Sequence, residues 1–202
     1  MAVAASTELE AVNIMLASIG EAPINTLTGT LPVDAKLAQN TLSEINKEVQ
    51  SEGWSFNTEI DKVLTRDSSN NINLSNDIIS ADPNIHHHPD VDAIQRGLKL
   101  YDRQNHTFEF EADLKSTVVF LRDFDEIPEP ARRYITIKAA RTFVDRLVGD
   151  QGLRAFNKED EIRARAILME TDLENGDHNL LRGDPSVTSV FDTYCPCRAL
   201  IR

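Results

Sequence analysis

The sequence predicts an α+β fold: a bundle of about four helices, an inserted block of antiparallel strands and an extended apolar tail at the C-terminal end. Apolar residues follow the helical period before residue 54 and again after residue 125, whereas they alternate with polar residues in between. Because strands interrupt the helices, we expect residues 1–53 and 125–177 to form one bundle, 54–124 a β-rich insertion in it, and 178–202 the tail.

The first helix is predicted to begin at Thr7. The stretch Thr7–Glu10 has the form of a capping box, in which the two side chains bond to each other's backbone N–H groups. Gly20 and then Pro23 end the helical pattern. The apolar positions of this first helix recur at helical spacing and are Leu9, Val12, Leu16 and Ile19.

The second helix is expected to start with Asp34 as its N-cap and to end at Gly53. A loop rich in Thr, Gly and Pro separates it from the first helix, so the two helices should be antiparallel. The apolar positions on its buried face are Ala38, Leu42, Ile45 and Val49.

The middle of the chain is predicted to form strands. From Trp54 to Ile60, large or β-branched side chains alternate with polar neighbours, as in a strand with one buried face. Residues 80–97 combine prolines and histidines with acids and amides, and we expect a long exposed loop there. The stretch Asp102–His106 should turn a pair of strands into a hairpin. The remaining predicted strands are 71–75, 98–102, 106–113 and 116–124.

The helical period resumes after the strands. Pro128 and Pro130 suit the start of a third helix, which we expect to reach Gly149 and to be buried on two sides. A fourth helix at 158–175 should cover the bundle from outside, because one apolar stripe runs along an otherwise charged helix. The stripe that we expect to face the bundle consists of Ile162, Ala166, Met169 and Leu173.

Trp54 is the only tryptophan, and it lies where the helical pattern gives way to alternation. An indole ring fills a core joint, stacks on a ligand or anchors a partner. We expect Trp54 and Phe56 to form a structural hinge where the bundle meets the strands, since large aromatic side chains are mostly buried.

The chain is acidic, with a formal net charge of −12 and a pI near 4.8. Such a surface repels phosphate, so we do not expect it to grip nucleic acid. The apolar runs are short and the start of the chain has no basic region followed by an apolar one, which predicts neither a membrane span nor a secretory signal. We therefore expect synthesis in a cytosol-like compartment.

The residue types capable of metal or catalytic chemistry form no recognisable site. His86, His87 and His88 are adjacent in a proline-flanked loop and lack the spacing of a helical metal site. Cys195 and Cys197 supply too few ligands for a structural zinc and too few thiols for a disulfide framework. We predict no catalytic residue, no cofactor and no metal, and the histidine loop and the cysteine pair have no assigned role.

Basic residues are concentrated in the last two predicted helices. Nine of the 21 fall between Arg132 and Arg165, whereas the first 60 residues hold only Lys36 and Lys47. Either these charges are solvated and paired within the chain, or they meet an acidic neighbour such as another copy. Composition favours neither alternative.

Five stretches of the sequence resemble the tail tubular protein A family of short-tailed bacteriophages. They occur in the family's order and span most of the chain. The stretches are STELEAVNIMLASIGEAPINTLTG (6–29), SEGWSFNTE (51–59), LYDRQNHTF (100–108), LRDFDEIPEPARRYITIKAARTF (121–143) and, more weakly, GDHNLL (176–181).

The resemblance implies a head-to-tail adaptor in the virion tail, assembled in the host cytoplasm. It implies a ring, usually of twelve copies, fixed beneath the capsid portal, with the nozzle protein (tail tubular protein B) below it and often tail fibres at its side. Genomic DNA would pass through the ring without specific binding, which suits an acidic lining. No catalytic residue comes with this family, and neither fibre attachment nor the host follows from the sequence.

The tail, residues 178–202, is apolar but broken by Gly and Pro, so it is suited neither to a helix of its own nor to water. We expect it to order against the portal, and the alternative is that it folds back onto its own bundle. The expected portal-binding residues are Leu180, Leu181, Val190, Phe191 and Tyr194.

Two other classes of function remain open at this point. One is a small soluble enzyme without a familiar motif, and the other is a non-viral scaffold or regulator. Ring formation, alone or with a portal, would favour the adaptor, whereas a monomer with a well-formed apolar pocket would favour the enzyme.

Overall fold

The computed structural model describes residues 6–147 and 151–176, with only the backbone path described for 151–157. Within this part of the chain, two helices precede the strands and two follow them, which confirms the predicted α+β class. The helices are α1 (Glu8–Ser18), α2 (Val33–Gln50), α3 (Glu129–Leu147) and α4 (Gln151–Asn175), with a 3-10 helix at Phe124–Glu126. The strands are β1 (Thr58–Leu64), β2 (Ile78–Pro83), β3 (Ala93–Arg96), β4 (Lys99–Asp102) and β5 (Leu114–Phe120).

Helix α1 begins with the predicted capping box. The hydroxyl oxygen of Thr7 accepts a hydrogen bond from the N–H of Glu10 at 3.2 Å, and the Glu10 carboxylate accepts one from the N–H of Thr7 at 2.9 Å. Both bonds satisfy donors that the start of a helix leaves free, so the local sequence alone sets this helix boundary.

Helix α2 starts earlier than predicted and has no side-chain cap. Pro32 is at the N-cap position, and its carbonyl oxygen accepts from the N–H of Lys36 at 3.0 Å, while Asp34 lies in the first turn. The prediction of Asp34 as the cap was wrong because the fixed φ of proline already sets the chain for helix entry. Asp34 is nevertheless well placed near the positive end of the helix dipole.

The strands form two small antiparallel sheets, one ordered β1-β5-β2 and the other pairing β3 with β4. Leu114, Ser116, Val118 and Phe120 alternate inward along the central strand β5. The register of β1 shifts between Glu59 and Lys62, which marks a bulge in this edge strand. The bulge bends β1 and reduces the risk of edge-to-edge pairing.

The segment from Trp54 to Asn57 is a turn, and the first strand begins only at Thr58. The N–H of Asn57 donates to the carbonyl oxygen of Trp54 at 3.1 Å. Alternation suggested a longer strand because Trp54 and Phe56 are both apolar, but both side chains contact the core of the helical bundle and not the face of a sheet.

The predicted loop at 80–97 contains the end of β2 and the whole of β3. β3 joins β4 through a short turn at Gly97, where φ is +64° and glycine carries no steric cost. The strand that pairs with β4 therefore precedes it, and the hairpin predicted at Asp102–His106 is present only as a single antiparallel bridge between Asp102 and Thr107. Segments 71–75 and 106–113 contribute isolated bridges within the described chain. The prolines and histidines of this region are typical of loops, and strands of only a few residues are too short to show a clear alternating pattern among them.

Two separate hydrophobic cores hold these elements together. The bundle core joins the four helices with Trp54, Phe124 and Ile127, and the second core lies among the strands around Leu100 and Val118. The chain passes between the two cores through the short segment at Trp54 and returns through the segment after β5. These two crossings position the strands relative to the bundle.

Helix α4 presents a different face to the bundle from the one predicted. Ala164 and Leu168 are 3% and 2% exposed and pack in the bundle core. The predicted stripe is exposed instead, by 60% at Ile162, 48% at Met169 and 62% at Leu173. The small side chain of Ala164 allows close approach to α3, and polar contacts of α4 fix its rotation. Apolarity alone could not reveal which face is buried.

Candidate interaction surfaces

Trp54 lies in the bundle core at the first crossing between the cores, with an exposed fraction of 7%. Its indole N–H donates to the carbonyl oxygen of Val49 at 2.8 Å, near the end of α2. Phe56 is partly buried against the same core. A ring that is buried with its donor satisfied cannot stack on a ligand or enter a partner pocket without leaving this position.

Asn57 and Gln50 connect the chain segment at Trp54 to the segment after β5 by hydrogen bonds. The sequence patterns predicted a role for neither residue. The side-chain amide of Asn57 donates to the carbonyl oxygens of Gln50 and Phe120, both at 2.9 Å. The Gln50 amide donates to the carbonyl oxygen of Arg122 at 2.8 Å and accepts from the N–H of Arg122 at 2.8 Å. Both side chains are essentially inaccessible to water, at 1% and 0% exposed. Nothing in the sequence distinguishes them from solvated amides.

Helix α4 is fixed to the Trp54 turn by two polar contacts. The guanidinium of Arg165 bonds to Glu52 at 2.7 Å and to the hydroxyl of Tyr134 at 3.0 Å, and it lies 6.0 Å from the centre of the Trp54 ring. These hydrogen bonds to Glu52 and Tyr134 raise the pKa of Arg165. Asp172 accepts from the backbone N–H and the hydroxyl of Ser55 at 2.8 and 2.6 Å. These contacts determine which face of α4 meets the bundle.

Basic side chains of α3 and α4 pair with acidic side chains of the same chain. Three of these acids, Glu44, Glu48 and Glu52, follow one another at intervals of four residues along α2 and just beyond its end. The hydrogen bond from Arg146 lowers the pKa of Glu44. This favours the first of the two alternatives above, pairing within the chain. The pairs are Glu44–Arg146 at 2.7 Å, Glu48–Lys138 at 3.1 Å, Glu52–Arg165 at 2.7 Å and Glu161–Arg141.

The three adjacent histidines have different surroundings. His87 lies 3.5 Å from the Asp61 carboxylate, and Nε2 of His88 accepts from the N–H of Lys115 at 2.9 Å. Burial, followed by the charges of His87 and Lys115, lowers the pKa of His88. No group of three or more His, Cys, Asp or Glu residues in the described part of the chain is arranged to hold a metal ion.

The grooves on the described surface are open. One groove of about 1220 Å³ lies beside the histidine loop and is lined by both apolar and acidic side chains, including Ile60, Ile85 and Asp92. A smaller groove of about 360 Å³ lies between α1 and α4. No helix among the described residues has the length and apolarity needed to cross a membrane.

The predicted portal-binding residues and the cysteine pair lie outside the described residues. The hinge residues Trp54 and Phe56 are therefore the predicted site residues that the structure places. It brings them together with Asn57, Gln50 and Arg165 at one junction.

Two comparisons with known proteins cover most of the chain. The profile of a family described as "Tail tubular protein" matches residues 9–178. The curated relative "Tail tubular protein A" of Klebsiella phage KP34 is 25% identical over 170 residues, which cover 83% of this chain and 88% of that protein. The matched range extends from α1 past the end of α4 and includes all five described strands. The chain therefore belongs to the tail tubular protein family of bacteriophages and is a structural component of the virion tail.

Proposed function

We propose that copies of this chain form a ring that joins the capsid portal to the tail nozzle and surrounds the path of the DNA. The observation that carries this proposal is the family match over residues 9–178, which spans both hydrophobic cores and both crossings between them. An adaptor needs no catalytic residue, and we propose none. The twelvefold symmetry and the attachment of tail fibres belong to the same proposal.

The charge distribution supports this role. The chain carries a formal charge of −12, and the ion pairs between α2, α3 and α4 neutralise Lys138, Arg146 and Arg165 internally. A surface of net negative charge holds phosphate weakly. Weak contact is what a long polyanion requires for transit, so the same surface that excludes nucleic-acid binding suits a DNA passage.

The junction between the two cores supports it as well. Buried amides at Asn57 and Gln50 connect the bundle to the strands through four hydrogen bonds to backbone groups. Such satisfied buried networks rigidify a structure. A rigid subunit holds its portal-facing and nozzle-facing surfaces in a fixed relation, which an adaptor between two other rings requires.

The tail provides the proposed contact with the portal. Its apolar side chains would enter portal pockets with the two aromatic rings as anchors, since hot spots are enriched in buried aromatic residues. The proposed contact residues are Leu180, Leu181, Val190, Phe191 and Tyr194.

Electron microscopy of the purified chain, alone and mixed with its portal protein, tests the proposal. We expect rings coaxial with the portal in the mixture, and the symmetry of the class averages gives the number of copies. The portal mixed with an unrelated acidic protein of similar size is the control. A chain that remains monomeric and unbound in the presence of a folded portal would contradict the proposal.

A further inference from the structure

Helix α4 carries an apolar stripe that no described residue covers. Ile162, Ala166, Met169 and Leu173 are all exposed, and at 3.6 residues per turn their stripe lies about 150° around the helix from the buried Ala164–Leu168 face. Isolated exposed apolar residues are ordinary, but a continuous row over three turns marks an interaction surface.

The spacing of the stripe indicates what kind of surface would cover it. The residues follow one another at intervals of four, three and four, which is the a/d pattern of a coiled-coil seam. Such a seam inserts its side chains between those of another helix, so the matching partner surface is helical.

The seam is complementary to itself when a second helix runs antiparallel. In that register Ile162 of one copy faces Leu173 of the other, and Ala166 faces Met169. Each layer across the axis thus combines either two large side chains of similar length or a small one with a long flexible one. Alternating layers of this kind allow two helices to interdigitate.

The charges beside the seam fit the same register. Arg163 and Glu170 flank the exposed side of the stripe, and within the described part of the chain neither forms a hydrogen bond or an ion pair. They are seven residues apart, which is about 10 Å along the helix, so they are too distant to pair with each other. In the antiparallel register, Arg163 of each copy lies opposite Glu170 of the other, because both residues occupy the same position of the heptad beside the seam. Parallel helices would not bring these two residues together.

We propose that two copies of this chain associate through antiparallel α4 helices along this stripe. The contact is isologous, because each copy contributes the same surface. It is therefore distinct from the head-to-tail contacts that close a ring, and it does not depend on the proposed adaptor function. A seam of three turns buries less than the roughly 1,200 Å² of a standard stable interface, so the dimer is weak and reversible.

Sedimentation velocity of the full chain over a wide range of concentrations tests this proposal. We expect a reversible monomer–dimer equilibrium whose dissociation constant rises about tenfold or more in Met169→Glu, since a charge would then enter an apolar seam. Ile167→Glu is the matched control: Ile167 is on the same helix and is 43% exposed, but it lies off the seam. This variant should dimerise like the wild type. Both positions are exposed, so both variants should fold, and circular dichroism verifies this.

A charge exchange tests the antiparallel register. Arg163→Glu and Glu170→Arg should each weaken the dimer, and the double variant should restore it, because the exchanged charges still meet across the axis. A wild-type chain that stays monomeric at every concentration would overturn the proposal. So would weakened ring formation or portal binding in Met169→Glu without any change in the dimer. That second result would assign the stripe to the adaptor's own contacts.

Discussion

The indole N–H of Trp54 donates to the carbonyl oxygen of Val49, so the last turn of α2 holds the aromatic ring at the junction between the two cores. The ring is buried beneath Arg165, which reaches it from α4. One side chain thus connects α2, α4 and the turn that leads into β1. Loss of the Trp54 ring should therefore lower the stability of the folded chain.

Trp54→Ala should lower the free energy of unfolding by about 3–5 kcal/mol, because it removes a large buried ring and leaves a cavity. Trp54→Phe keeps most of the ring but loses the bond to Val49, and it should cost about 1–3 kcal/mol. Urea unfolding followed by circular dichroism measures both. If Trp54→Ala keeps its stability yet loses portal binding, Trp54 is a partner anchor and not a core residue.

Asn57→Ala should cost at least about 2 kcal/mol, since it leaves the buried carbonyl groups of Gln50 and Phe120 without their donors. Asn105→Ala removes a side-chain bond to Asp102 at an exposed loop position and should cost much less. The same urea titrations compare the two variants. If the two variants lose the same free energy of unfolding, burial of the Asn57 hydrogen bonds does not contribute to stability.

Stability should fall as the pH drops below about 6.5, partly because of His88. Its pKa is lowered in the folded protein, first by burial, and its Nε2 must be unprotonated to accept from Lys115. The unfolded chain therefore takes up this proton at a higher pH than the folded one, and the stabilisation is lost as the pH falls through the lowered pKa. Thermal melts between about pH 7.5 and pH 5 measure the effect.

His88→Gln should reduce this pH dependence, because glutamine retains an acceptor that does not titrate. His86→Gln, at an exposed position in the same loop, is the control and should leave the dependence as it is. If the melting temperature of His88→Gln depends on pH as strongly as that of the wild type, His88 does not cause the loss of stability.

Ring assembly should strengthen modestly as salt rises. Lys138, Arg141, Arg146 and Arg165 are already paired with acids of the same chain, and each copy carries a formal net charge of −12, so neighbouring copies repel each other overall. Screening over about 8–10 Å at physiological ionic strength reduces that repulsion. Light scattering across a salt series follows assembly. A strong loss of rings with salt would show instead that basic surface meets an acidic neighbour.

Truncation after Asn179 should abolish portal binding and leave the thermal stability of the subunit almost unchanged. The removed residues lie beyond the family match at 9–178, and we expect them to contact the portal. A pull-down with the portal and a thermal melt give the two readouts. If the truncated chain unfolds while its folded remainder still binds the portal, the tail belongs to the core.

Local signals in the sequence determined the helices and the fold class. The capping box at Thr7 and the prolines at the start of α3 act on neighbouring backbone groups, so their effect can be recognised without knowing the rest of the fold. The family resemblance also rests on stretches of consecutive residues. These features identified a structural tail protein before any contact between distant residues was known.

Only the tertiary structure decided how the strands pair and which face of α4 is buried. β4 pairs backward with β3 because a two-residue turn closes that hairpin, whereas composition pointed forward to residues 106–113. On α4 two faces were available, and the contacts of Arg165 and Asp172 with the Trp54 turn selected the one around Ala164. The buried face of α4 depends on contacts between residues more than a hundred positions apart. The pairing of β4 depends on competition between two neighbouring segments for the same strand. Periodicity records that a residue is apolar, but not which surface covers it.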